Sequence, residues 1–123
     1  MDIINFVKDR IQGKIPFLSK RSSHWPTVRK HWIELNSECA ACGSKIKLQV
    51  HHIKPFHIDP SLELDFNNLI TLCEAKLECH LEIGHHDNFK NENPNVLIEA
   101  ALARKKHKLP KLKMLIPERK SEV

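Results

Sequence analysis

The sequence has no apolar run approaching the ~18 residues that span a bilayer. Its opening stretch, Met1 to Gln12, carries Asp2, Lys8, Asp9 and Arg10 where a secretory signal needs an unbroken apolar region. These absences predict a cytoplasmic chain with no membrane partner. Internal repeats and long linkers are also missing. With 123 residues, 41% of them hydrophobic, the chain is too short for two independent catalytic domains. A single domain over residues 1–123 is the expectation.

Charge is unevenly spread. Met1 to Lys30 holds seven Lys/Arg against two acidic residues (+5), Arg104 to Val123 holds eight against two (+6), and His31 to Ala103 holds five against eleven (−6). Basic ends around an acidic, histidine-rich centre suggest arms for a polyanion and a centre for cations, because Lys and Arg displace counterions condensed on phosphates. A solvated surface with a basic tail is the plainer reading of the same pattern.

All four cysteines fall between Cys39 and Cys79, and six of the nine histidines between His51 and His86. Cytosolic thiols stay reduced, so metal binding is a better account of the cysteines than disulfides. Cys39-Ala40-Ala41-Cys42-Gly43 has the two-residue gap and following glycine of a zinc knuckle. Cys73 and Cys79 form the second pair, with a gap wider than usual. A structural Zn2+ on Cys39, Cys42, Cys73 and Cys79 is predicted, the alternative for Cys73 being a small buried hydrophobe.

Apolar spacing predicts a helix over residues 2–12 and a second carrying Val28, Trp32 and Leu35, with Pro26 in its first turn and Trp32 in the core. A short strand over Leu48 to Ile53 carries two histidines. A loop over 54–65 leads to a second strand at 67–72 and a helix over 74–84. The last helix starts with Asn93 as cap and Pro94 at its first position, and stops before Pro110.

In order, the centre reads Cys39-x2-Cys42, Val50-His51-His52-Ile53, Asn68-Leu69, Leu72-Cys73, Cys79-His80 and Gly84-His85. This series resembles the HNH endonuclease family, and in particular its small, phage-type, four-cysteine members, over about residues 25–96. The resemblance implies an α+β fold: a ββα-metal, treble-clef-like core with flanking helices and a structural zinc. It also implies that His52 is the general base, that Asn68 orients the backbone around it, and that His51 and His80 ligate a catalytic divalent cation.

Many family members place a third ligand four residues after the last histidine of the motif, where this chain has Gly84. His85 is the expected ligand, with His86 as the alternative. Five α-helical residues set His85 about 140° from His80, so the helix is expected to end at Gly84 in a left-handed conformation that swings His85 back.

The function so implied is metal-dependent hydrolysis of DNA, by nicking or double-strand cleavage. Mg2+ or Mn2+ follows from the family, and Ni2+ or Zn2+ from the affinity of imidazole. DNA is the implied partner, and phage terminase or other packaging proteins are further ones. The competing readings are a non-catalytic, zinc-stapled nucleic-acid-binding module and a purely structural adaptor. Oligomeric state is left open.

Overall fold

The computed structural model describes residues 20–112. The elements are α1 (Trp25–Leu35), β1 (Leu48–His52), β2 (Leu69–Cys73) and α2 (Val96–Lys106), with 3-10 turns at Pro60–Leu62 and Phe66–Asn68 and a π-helical turn at His80–Gly84. The helix predicted over residues 2–12 and the tail beyond 112 lie outside the described residues. Among those described, no helix is long and apolar enough to cross a membrane.

In α1, Pro26 occupies the first turn, where its missing N–H has no partner to lose. The helix delivers Trp32 to the interior. Its indole N–H donates to Thr71 Oγ1 at 2.9 Å, and that hydroxyl donates to the Asn36 carbonyl at 2.9 Å. The end of α1 is thereby fixed to the middle of β2.

The strands pair antiparallel, from Leu48 opposite Cys73 to His52 opposite Leu69. Every residue of β2 is buried, in keeping with its nearly unbroken apolar run. Ile70, Leu72 and Cys73 pack with Cys39, Ala40, Ala41, Val96 and Ala100. Two strands alone are marginal in water, so the cysteine loop and α2 supply the cover that the sheet needs. The result is a small α+β arrangement around a two-stranded sheet.

Three boundaries differ from the sequence expectation. Asn67 and Asn68 lie in a 3-10 turn rather than in the strand, because the Asp65 carboxylate accepts the Asn67 N–H at 2.9 Å and holds the turn closed. The helix expected over 74–84 is reduced to the π turn, preceded by Glu78 at a φ of 46°. Asn93 does not cap α2 directly. Its Oδ1 accepts the Asn95 N–H at 2.9 Å, which forms a turn through Pro94, and the helix begins at Val96.

Helix α2 buries Val96, Ala100 and Arg104, one stripe at four-residue spacing. Arg104 was expected to belong to a basic arm for a polyanion, but it is buried. Its guanidinium donates to the carbonyls of Pro110 (2.6 Å) and Cys39 (3.3 Å) and to Glu38 Oε1 (3.2 Å). It staples the cysteine loop to α2 and is not available for phosphate.

Candidate functional site

The knuckle turn closes through Gly43, whose φ of 77° few other residues tolerate and whose N–H donates to the Cys39 carbonyl at 2.9 Å. Cys73 ends β2 and Cys79 immediately precedes the π turn. The four sulfurs lie within 4.8 Å of one another. Cys42 and Cys73 are 3.6 Å apart, close to the roughly 3.8 Å between thiolates that share a tetrahedral zinc.

A hydrogen bond from Cys79 holds the Cys39 thiol down to about 5, and the same contact pushes Cys79 up. Burial pushes Cys42 up to about 11. Left to itself the pocket thus ionises one sulfur readily and resists two others, and a dication reverses that balance. The donor set fits a structural zinc.

At the other end of the hairpin, the rings of His51, His80 and His85 meet with centroids 4.8, 4.9 and 5.2 Å apart. Gly84 is not left-handed; among the described residues Gly43 is the glycine with positive φ. What returns His85 to His80 is the π winding, which takes in more residues per turn and brings residues five apart onto one face. A Cβ on Gly84 would stand 3.2 Å from both His51 Cε1 and Leu72 Cδ1, so glycine lets the turn sit directly against the hairpin. His86, at a φ of 46°, points elsewhere and pairs with Glu99 at 2.9 Å. The structure brings together His85, not His86, with His51 and His80.

Hydrogen bonds fix which nitrogens face the centre. His80 Nδ1 lies 3.1 Å from Glu74 Oε1, and His85 Nδ1 lies 2.9 Å from the Asn91 carbonyl. Both partners can only accept, so each Nδ1 carries the proton and each Nε2 presents a lone pair. The two Nε2 atoms are 3.3 Å apart, an arrangement that repels unless a cation lies between them. Burial, with the neighbouring imidazoles adding to it, pushes His51 down to about 3; burial lowers His80 as well. Neutral nitrogen donors of this kind fit a divalent metal.

His52, the next residue on β1, is held differently. Its Nε2 lies 2.9 Å from the Glu63 backbone carbonyl, so Nε2 carries the proton and Nδ1 is left as acceptor. The ring rests against Trp25 at 4.4 Å, and burial lowers its pKa, which keeps it neutral. Asn68 clamps the backbone just beyond. Its Oδ1 accepts the Lys54 N–H at 2.8 Å and its Nδ2 donates to the carbonyls of Lys54 (3.0 Å) and Leu62 (3.3 Å). Asn68→Ala should cost about 2–4 kcal/mol in urea unfolding, because these buried groups lose their partners. A loss below about 1 kcal/mol would mean that water replaces the amide and the clamp is dispensable.

The four histidines share a cleft of about 390 Å3 with Arg21, Phe56, Phe89 and Lys90. A roomier groove of about 510 Å3 runs along α2, but its wall holds no imidazole or thiol, so the chemistry belongs to the smaller cleft. Arg21, Glu63, Glu74 and Asn91 were not anticipated. Glu63, Glu74 and Asn91 hold the histidines through contacts that no spacing in the sequence announces, and Arg21 lines the same cleft.

No curated protein and no solved structure matches the chain. The family model described as HNH endonuclease matches residues 39–86, which span all four cysteines as well as His51, His52, Asn68, His80 and His85. The match suggests a nuclease or nucleic-acid-binding function. Residues 39–86, the segment that carries both clusters, are thus what the chain shares with the HNH endonuclease family model.

Proposed function

We propose that the chain is a metal-dependent HNH endonuclease that hydrolyses phosphodiester bonds of DNA, with β1, β2 and the π turn as its ββα-metal core. The observation that carries this reading is the division of labour between neighbours. The Nε2 lone pairs of His80 and His85 converge beside His51, while His52 keeps Nδ1 open to accept a proton. Adjacent strand residues leave the strand in opposite directions, yet His51 and His52 both border the same cleft, so one histidine serves a cation and the next serves water.

A divalent ion bound by His51, His80 and His85 would supply charge stabilisation to the phosphate. His52 Nδ1 takes the proton of the attacking water, and the Glu63 carbonyl holds the ring in the tautomer that makes this possible. Asn68 keeps the residues after His52 in place. Cleavage should leave 5′-phosphate and 3′-hydroxyl ends. The cysteine cluster holds a structural Zn2+ and does no chemistry. The phage-type resemblance suggests packaging or genome processing as the setting.

The test is nicking of supercoiled plasmid by protein stripped of exchangeable metal, with Mg2+, Mn2+, Ni2+ or Zn2+ added back. Restoration of nicking by at least one ion is expected, with DNA affinity falling steeply as salt rises, in proportion to the phosphates contacted. A folded, DNA-binding protein that nicks with none of these ions would leave only the nucleic-acid-binding module.

A further inference from the structure

Arg21 has no part in the roles above, yet its placement is unusually constrained. Its guanidinium lies 4.5 Å from the Phe56 ring centroid and 5.7 Å from that of Trp25, the residue on which His52 rests. Its Nε is 2.8 Å from Glu63 Oε2. That oxygen has no hydrogen-bond partner by angle, so the contact is an ion pair rather than a straight hydrogen bond.

Glu63 is only 3% exposed. Burying a carboxylate is costly unless it is paired, and this one is held by Arg21 and by the Ser22 N–H, which donates to Oε1 at 2.8 Å. The backbone carbonyl of the same residue holds His52. Glu63 therefore sets the guanidinium and the imidazole of His52 in a fixed relation, one through its side chain and the other through its main chain. The Arg21 side chain is 49% exposed and lines the cleft that contains His51, His80 and His85. Its forked N–H groups suit an anion with paired oxygens.

We propose that Arg21 binds a phosphate group of the nucleic-acid substrate in this cleft and that Glu63 is the positioning residue that aims it. The identity of the polyanion rests on the nuclease reading. The contact itself can be tested without catalysis.

Affinity of the full chain for a duplex oligonucleotide would be measured over a salt series with no divalent ion added. Arg21→Ala should make the slope of log affinity against log salt shallower by about one unit, and Arg21→Lys should restore it. With a divalent ion present, Arg21→Ala should nick plasmid about 10- to 100-fold more slowly. Arg21→Lys should recover only part of that loss, because an ammonium cannot make a two-pronged contact. Glu63→Gln keeps an acceptor for Ser22 but removes the charge. It should nick more slowly while DNA affinity holds or rises, the reverse of what a mere loss of negative charge would do to the rate.

A folded Arg21→Ala protein with the wild-type salt slope would overturn the phosphate contact. Wild-type nicking by Glu63→Gln would overturn the aiming role. Should Glu63→Gln not fold, the two Arg21 variants, changed at a half-exposed side chain, decide the matter. If the folded wild type cleaves with none of the divalent ions, the nuclease reading fails and the salt slope alone judges Arg21.

Discussion

His52→Ala should slow plasmid nicking by about 10^2- to 10^4-fold, the usual contribution of a positioned general base, while the protein still folds and still binds divalent ions. The ring makes one hydrogen bond, to the Glu63 carbonyl, and one tilted ring contact with Trp25. Losing these should cost about 1–2 kcal/mol of stability, less than most domains hold in reserve. His51, His80 and His85 keep their own supports at Gly84, Glu74 and Asn91, so the imidazole cluster is untouched. Nicking rates, circular dichroism and calorimetric titration of the divalent ion on one preparation give the comparison. A folded variant that nicks within about threefold of wild type would remove His52 from the chemistry, since no general base contributes so little.

The second large effect concerns the cysteines. A strong chelator, or Cys39→Ser, should abolish the cooperative melting transition. Structural zinc contributes about 10–16 kcal/mol in small metal-dependent folds, as much as the whole stability of an ordinary domain. Here the sulfurs are part of the core: Cys39, Cys73 and Cys79 pack with Ile70, Leu72 and Val96, so loss of the metal would leave a buried Cys39 thiolate among protonated thiols with nothing to bridge them.

A weak chelator should behave otherwise. It should strip the imidazole cluster first, ending activity with the melting curve intact, and Mg2+ or Mn2+ should restore activity. Loss of fold and activity at the same mild dose would show that one metal, not two, sustains both.

Features carried by local pattern were legible in the sequence. The apolar run of β2, the placement of Trp32 and the knuckle of Cys39 and Cys42 followed from periodicity and spacing. Register within the last turn did not. Whether five residues wind as an α or a π turn depends on what the turn packs against, and here Gly84 meets His51 and Leu72, contacts that exist only once the hairpin has closed. His85 was the expected ligand over His86, but through a left-handed helix end and not through the π winding that brings it there.

Counting charge also misread Arg104, which the sequence places among basic neighbours and the fold buries against Cys39 and Glu38. The supports of the histidines were the least visible. Ser22 and Glu63, for example, meet across 41 positions of chain, and a carbonyl that fixes a tautomer leaves no mark on residue type.

The pairing of β1 with β2 has a consequence for how the two clusters communicate. Cys73 stands opposite Leu48 at one end and His51 opposite Ile70 near the other, so one sulfur and one imidazole of the two clusters hang from a single ladder of five residue pairs, about 13 Å long. Such a ladder acts as a bracket: whatever steadies one end resists fraying at the other. Linkage makes the effect mutual. An ion captured by the imidazoles would tighten the thiolates' grip on a zinc by the same factor that the zinc would improve the capture.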